Sequence, residues 1–158
     1  MIRVLVMATT VIGLVAFGSS PASATAIQSR PFAAVVTEDF SAACQPGATC
    51  GTAVTPYGSA TILTVITAFS YLPSGCFSDE HTSTLTFADG STLALAVAGT
   101  LCPTAFPNFK FKGTYSVASS VSSGRFGGAT GAGLVRSIRE NGPIHGVFLG
   151  AISLPNGS

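Results

Sequence analysis

The chain has 158 residues, of which 47% are hydrophobic and only 8% are charged, and its formal net charge at pH 7 is +1. This length accommodates one domain, and the high apolar content excludes a disordered chain. The seven Lys and Arg residues form no cluster, so no phosphate-binding surface and no nucleic-acid partner are expected.

The start of the chain has the pattern of an export signal. Arg3 gives it a positive charge, residues 4–18 form an apolar run, and Ala22-Ser23-Ala24 has the small-x-small form of a cleavage site. The apolar run is shorter than the ~20 residues that span a bilayer. We therefore expect a cleaved signal peptide at 1–24, a single secreted domain at 25–158, and no membrane span after cleavage.

Segments with strand composition follow one another along the rest of the chain. Residues 32–40 alternate in part between polar and apolar side chains, residues 60–71 are rich in Thr, Val and Ile, and residues 109–117 place aromatic side chains on one face. Residues 131–139 and 144–154 have the pattern of a last hairpin. Seven or eight strands separated by Gly and Pro turns, with no amphipathic helix, predict an all-β sandwich or barrel.

A hairpin is predicted around Gly90. A three-residue loop with Gly90 in the left-handed conformation forms a bulge and sets Leu85 opposite Leu93. This register keeps apolar side chains on one face of both strands, whereas a two-residue turn would mix the faces. The same register places Cys76 directly opposite Cys102.

The four cysteines predict two disulfides, because an even number of cysteines in an exported domain is typical of a disulfide framework. Three pairings are open to four cysteines. The hairpin register selects Cys76–Cys102 and leaves Cys44–Cys50 for the second bridge. No Cys-x-x-Cys spacing indicates zinc, and neither a metal nor a cofactor is expected.

The last hairpin is predicted to turn at residues 140–142. With a three-residue loop and a left-handed Gly142, Ile138 pairs with Ile144 and Leu134 pairs with Phe148. In this register Leu134 faces the interior of the protein.

A glycine-rich motif carries a resemblance to a known family. Gly113-Thr114-Tyr115, a polar loop and the glycine-rich stretch that follows resemble the signature of the allene oxide cyclase and dirigent barrel superfamily, and the hairpin at 89–93 fits its secreted bacterial members. The glycine-rich stretch reads Gly124-Arg125-Phe126-Gly127-Gly128-Ala129-Thr130-Gly131-Ala132-Gly133. The resemblance covers residues 85–154 and implies a closed antiparallel eight-stranded β-barrel, calycin-like, with a central apolar cavity. It also implies cofactor-free cyclase, isomerase or dirigent-type activity on small hydrophobic molecules.

Inward strand positions provide the candidate ligand contacts of such a cavity. An eight-stranded barrel is just wide enough to be filled by side chains or to hold one small ligand. The predicted ligand-binding residues are Phe69, Leu85, Phe87, Leu95, Phe111, Tyr115, Leu134 and Phe148.

Polar residues on the same inward positions are the candidates for chemistry. Glu38 and His81 are the types of side chain that accept a proton in a dry cavity. Arg136 and Tyr115 are the types that stabilise developing negative charge. No motif assigns a catalytic role to any of the four, so the presence of an enzymatic activity is left open.

The sequence leaves two readings of function. The first is a secreted barrel that binds a small hydrophobic molecule, with or without cofactor-free catalysis. The alternative is a non-enzymatic structural or interaction protein with a fully packed barrel. Small side chains on outward positions, such as Ala94, Ala96 and Ala98, favour close packing against a neighbour and hence a homo-oligomer.

Overall fold

The computed structural model describes residues 29–41 and 43–155, so the predicted signal peptide lies outside the described residues. The described chain consists of eight strands and one 3₁₀ turn, Gly124–Phe126. None of its helical segments is long and apolar enough to cross a membrane. The strands are β1 (Ser29–Asp39), β2 (Ala48–Thr55), β3 (Gly58–Tyr71), β4 (Phe77–Phe87), β5 (Thr92–Ala105), β6 (Asn108–Val117), β7 (Thr130–Arg139) and β8 (Ile144–Ser153).

The strands form a closed barrel in chain order, in which each strand pairs antiparallel with the next and β8 pairs with β1. The predicted all-β fold, with a closed eight-stranded antiparallel barrel, is confirmed. Successive connections alternate between the two ends of the barrel. We call the end with the loop residues 40–41, 43–47, 72–76, 106–107 and 140–143 the open end. The end with the segments 56–57, 88–91 and 118–129 is the closed end.

The register predicted for the hairpin at Gly90 is confirmed. Leu85 lies opposite Leu93 and His81 lies opposite Val97, and Gly90 has a φ of 79°. Only a residue that tolerates positive φ fits the bulge of such a three-residue loop. The inward face of β5 is apolar at Leu93, Leu95 and Val97, whereas that of β4 is apolar at the closed end and becomes polar toward the open end, at Ser83 and His81.

Both predicted disulfides are present, Cys76–Cys102 and Cys44–Cys50. The first joins the residue that precedes β4 to β5, as the hairpin register requires, and the second closes the loop between β1 and β2. Both bridges lie at the open end of the barrel.

The register predicted for the β7–β8 hairpin is wrong by one residue. Arg139 pairs with Ile144, so the loop has four residues rather than three, and the left-handed residue is Asn141, with a φ of 53°. The predicted register would place Pro143 in the ladder opposite Arg139, where it has no N–H to donate. Because a shift of one residue moves a side chain to the other face, Leu134 points outward and is 56% exposed.

The inward residues of β3 also differ from the prediction. Ile62 points inward and is buried, whereas Leu63 and Val65, which alternate in phase with the predicted inward Phe69, are only half-buried. This strand is apolar or β-branched on both faces, so alternation did not settle its phase. A register shift between Ile66 and Ala68 then brings Phe69 to the edge of the open end.

The closed end is filled by a cluster of rings. The segment 118–129 folds across the barrel and inserts Phe126, whose ring centroid lies 4.9 Å from that of Phe87 and 5.3 Å from that of Tyr57. Tyr57 in turn stacks on Phe32. The same segment covers Ala94, whose backbone N–H donates to Ser122 Oγ at 3.1 Å, so this predicted outward alanine is buried.

Candidate functional site

A cavity of about 90 Å³ opens at the open end of the barrel. It lies above Phe111, which belongs to the packed core and also forms part of the cavity wall. The side chains and glycine that line it are Glu38, Phe40, Gly47, Thr49, Thr64, Ile66, Asp79, His81, Leu101, Phe109, Phe111, Ser137 and Ile144.

Glu38 supplies a buried carboxylate to this cavity. It points inward from β1, in phase with Val36, and is only 7% exposed. The hydroxyl of Thr49 on β2 donates a hydrogen bond to Glu38 Oε2 at 2.7 Å. Removing an ionised carboxylate from water costs free energy unless hydrogen bonds or charges replace the lost hydration, and this hydroxyl replaces part of it.

Two further polar pairs lie on β3 and β4. The hydroxyls of Thr64 and Ser83 are 2.8 Å apart and hydrogen-bond to each other. His81 Nδ1 donates to Asp79 Oδ1 at 3.0 Å, and the side chains are 11% and 6% exposed. A carboxylate on Nδ1 fixes the orientation of the imidazole and leaves Nε2 for another partner, and the His81 ring also contacts Phe111, with centroids 5.3 Å apart.

The rim above the cavity is apolar and exposed. A wider pocket of about 560 Å³ lies there and shares Phe40, Ile66, Leu101 and Phe109 with the cavity. Arg139 supplies a charge to this pocket, and its Cζ lies 5.1 Å from the centre of the Phe40 ring. The two spaces together form a funnel. Its entrance is apolar, and its inner cavity also carries a set of polar side chains that we call the polar floor, namely Glu38, Thr49, Asp79 and His81.

Tyr115 lies deeper in the barrel, away from the cavity. Its ring packs against Phe32 and Phe148 in space left by the facing glycines Gly133 and Gly150, where a Cβ would clash with it. Its hydroxyl is buried without a hydrogen-bond partner, and burial raises the pKa of Tyr115 to about 12. The phenol therefore remains protonated at neutral pH but does not face the cavity.

The structure gathers only some of the predicted site residues. Glu38, His81 and Phe111 line the cavity. Phe69 is half-exposed at the rim, where it stacks on Phe77 with centroids 4.6 Å apart. The remaining predicted ligand contacts on inward positions are buried in the packed core below the cavity, namely Leu85, Phe87, Leu95, Tyr115 and Phe148.

Two predicted site residues lie on the outer wall. Leu134 and Arg136 both point away from the interior, because the β7–β8 register is shifted by one residue. Arg136 borders an outer-wall groove beside Val35 and Val147, so the prediction that it faces the interior is wrong.

Several residues of the site were missed by the sequence prediction. Asp79 and Ser83 are each two positions from His81 on the same strand, so strand alternation alone would have placed them on the inward face with it. Ser137 was missed because the predicted β7–β8 register placed it on the outer face. Thr49 was missed because the residues around it give no pattern that marks its side chain as inward.

The chemistry of this site is that of hydrogen-bond acceptors at the bottom of an apolar funnel. Within residues 29–41 and 43–155, no group of three or more His, Cys, Asp or Glu side chains is placed to hold a metal ion. The Asp79–His81 pair has the arrangement of a base oriented by a carboxylate, and Glu38 is a second acceptor in the same cavity wall.

Comparisons with protein-family models, with curated proteins and with solved structures gave no match to this chain.

Proposed function

We propose that this protein binds a small hydrophobic molecule at the open end of the barrel. The observation that carries the proposal is the funnel, an apolar rim that leads into a cavity of about 90 Å³ with a polar floor. Ligand sites in proteins are commonly concave and apolar, with a few convergent polar groups. The apolar body of the ligand occupies the rim, and its polar group reaches Glu38 or His81.

The rim supplies most of the affinity in this proposal. Burial of apolar surface contributes about 25 cal/mol per Å² before the costs of association are subtracted. Because the floor is small, only one end of a ligand fits the cavity, and the polar groups there fix its orientation. The natural ligand thus has an apolar body and one compact polar end.

The structural alternative, a barrel without a ligand, is supported by the packed core between the cavity and the closed end. The polar floor argues against this alternative. Burying Glu38 and Asp79 beside a cavity costs free energy, because the carboxylates lose hydration and gain few packing contacts in return. The expected homo-oligomer does not depend on whether the barrel binds a ligand. Light scattering on the purified protein measures the molar mass and hence the oligomeric state.

A titration with Prodan, a neutral dye whose fluorescence reports an apolar environment, tests the proposed function. Ser137 lines the cavity, so Ser137→Phe fills it, and we expect dye affinity to fall about tenfold, equivalent to ~1.4 kcal/mol. Ser116→Phe, on the exposed face of β6, is the matched control and leaves the affinity unchanged. Absence of saturable binding by the folded wild-type protein would contradict the proposal.

A second function, proton transfer on the bound molecule, is favoured by the Asp79–His81 pair at 3.0 Å. It agrees with the cofactor-free cyclase, isomerase or dirigent-type activity that the family resemblance implies. In this proposal His81 Nε2 accepts a proton from carbon and returns it elsewhere, and Asp79 orients the ring.

The elimination of 5-nitrobenzisoxazole tests for such a base, because removal of its ring C–H proton breaks the N–O bond and releases a coloured phenolate. We expect His81→Gln to lower kcat/KM by about 10²-fold or more, while His145→Gln, at an exposed position, has no effect. If the wild-type protein reacts no faster than either variant, general-base catalysis by His81 is excluded. The proposal that the protein binds a ligand would not be affected by that result.

We also propose that the chain is exported and cleaved after Ala24. The two disulfides support this proposal, because disulfides persist in oxidising compartments and both bridges are formed here. Intact-mass measurement of protein recovered outside the cell should give a chain that begins at Thr25. A secreted product that retains Met1 would contradict it.

A further inference from the structure

The charges that face the cavity all come from one small set of side chains. Among the described residues, its lining contains Glu38, Asp79 and His81 and neither lysine nor arginine. His81 is hydrogen-bonded to Asp79, so this pair carries a formal charge of zero or minus one, according to the protonation of the imidazole. The charge of Glu38 is therefore not offset within the cavity.

The hydrogen bonds around Glu38 leave room for one more donor. Thr49 donates to Oε2, and within residues 29–41 and 43–155 no side chain or backbone N–H is bonded to Oε1. The hydroxyl of Thr64, which also lines the cavity, is hydrogen-bonded to that of Ser83. A carboxylate that is 7% exposed and half-satisfied favours a ligand that brings a donor, and a charged donor gives the stronger bond.

The rim is suited to a cation as well as to apolar groups. The guanidinium of Arg139 already lies against the Phe40 ring at 5.1 Å, as expected for cations near aromatic faces. Arg139 itself is tied to the loop, because its Nε donates to the Gly142 carbonyl oxygen at 3.0 Å. Arg139 would instead attract an anionic ligand, and it lies at the rim rather than in the floor.

We infer that the ligand of this site is a hydrophobic ammonium compound, an apolar body with one positively charged nitrogen. The ammonium group donates to Glu38 Oε1 in the cavity, and the apolar body lies against the aromatic rim. This inference deepens the proposed function and rests on it, since it assigns the chemical class of the ligand that the funnel binds.

Three probes with the same tail and different head groups test the inference, namely octylammonium, 1-octanol and octanoate, each measured by displacement of Prodan at neutral pH. We expect octylammonium to bind about tenfold or more tightly than octanol and octanoate to bind most weakly. Glu38→Gln should remove the preference for octylammonium over octanol, because the amide oxygen still accepts a hydrogen bond but carries no charge. Glu140→Gln, an exposed carboxylate at the open end, is the charge-matched control and keeps the preference.

A second measurement on the wild-type protein avoids any dependence on the folding of a variant. Added salt should weaken the binding of octylammonium only moderately, because salt screens a largely buried charge pair less than an exposed one, and it should leave the binding of octanol unaffected. The inference would be overturned if octanoate bound most tightly, if the three probes bound equally, or if Glu38→Gln kept the preference for octylammonium. In each of these cases, saturable binding of Prodan would still support the proposed function. If Prodan does not bind either, the proposed function itself fails.

Discussion

The two ends of the barrel are stabilised in different ways. At the closed end, Phe126 is fully buried by the segment 118–129 and packs against the rings of Phe87 and Tyr57. At the open end, the interior holds a cavity and polar side chains, large apolar residues such as Phe106 are exposed, and both disulfides are found there. The same sheet thus encloses a packed core at one end and, at the other, a cavity whose surrounding strands and loops are crosslinked by two disulfides.

This difference shows how one small barrel accommodates a site. Side chains that would fill the cavity would stabilise the fold, since empty space costs free energy. Where the interior is left open, crosslinks that restrict the unfolded chain supply part of the missing stability. The comparison predicts that equal substitutions at the two ends have unequal effects.

The largest expected effect is that of Phe126→Ala at the closed end. Phe126 is 0% exposed, whereas Phe106 at the open end is 99% exposed. We expect Phe126→Ala to lower the free energy of unfolding by about 3–5 kcal/mol and Phe106→Ala to change it by less than about 0.5 kcal/mol. Urea unfolding of the disulfide-bonded proteins measures both values, and similar losses would contradict the proposed division between the ends.

The next effect concerns the two disulfides. Replacing both cysteines of the Cys76–Cys102 bridge, which spans 26 residues, by alanine should cost about 3.5 kcal/mol through chain entropy. The same replacement at Cys44–Cys50, which spans 6 residues, should cost about 2 kcal/mol. Thermal unfolding of the two double variants shows which bridge contributes more to stability. A larger loss of stability on removal of the short bridge would show that chain entropy does not determine the two contributions.

Tyr115→Phe tests the packed interior through pH. The pKa of Tyr115 is raised from 10 to about 12, so the folded state holds the phenolic proton more tightly than the unfolded state. This contribution to stability is fully present below pH 10 and is lost as the pH rises from 10 to about 12, a change of about 2–3 kcal/mol. The variant should lack this part of the alkaline destabilisation, and Tyr71→Phe, at an exposed position, should retain it.

At neutral pH the same variant should be as stable as the wild type or slightly more stable. The Tyr115 hydroxyl is buried without a partner, and removing such a group avoids its desolvation cost. A clear loss of stability at pH 7, measured by the same unfolding curves, would show that the hydroxyl has a partner in solution.

The smallest expected effect is that of Arg125→Ala. Its guanidinium stacks over Phe87 at 4.6 Å and donates to the Tyr57 carbonyl oxygen at 2.9 Å, whereas Arg136 lies exposed on the outer wall. We expect a loss of about 1 kcal/mol for Arg125→Ala and no measurable change for Arg136→Ala. Equal melting temperatures for the two variants would show that the stacking adds nothing to the closed end.

The Arg125 site also includes an exposed ion pair. A hydrogen bond from the Ser91 backbone N–H, with a smaller contribution from Arg125, lowers the pKa of Asp89. The contribution of this carboxylate to stability is therefore present above its ordinary pKa and is lost as the pH falls through the lowered value. Because Asp89 is exposed to solvent, this contribution is small.

The parts of the fold that could be predicted are those in which two local signals agreed. At the β4–β5 hairpin, the alternation of apolar residues and the loop with Gly90 selected the same register, and the register paired Cys76 with Cys102. At the β7–β8 hairpin, the loop was the only signal. The choice between Asn141 and Gly142 as the left-handed residue then changed the face of every side chain on the strand.

The candidate site was predicted only in part, for a related reason. The inward positions of Glu38 and His81 followed from alternation with apolar neighbours. Whether an inward residue lines a cavity or fills the core depends on its height along the barrel axis, and that height is set by how the strands are staggered when the barrel closes. Leu85 and Phe111 therefore look alike in the sequence, yet one is packed below the cavity and the other forms its wall.

The sequence by itself determined the all-β class, the hairpin at Gly90 and both disulfides, because turn chemistry and the two-residue period of a strand act over a few neighbouring residues. Only the tertiary structure decided which end of the barrel is filled and which is open. Phe126 lies in the segment 118–129, where no strand alternation marks it as an interior residue, and the rings it contacts, Tyr57 and Phe87, lie far from it along the chain. The polar floor likewise exists because Glu38, Thr49 and His81 come from three strands and meet only on closure of the barrel.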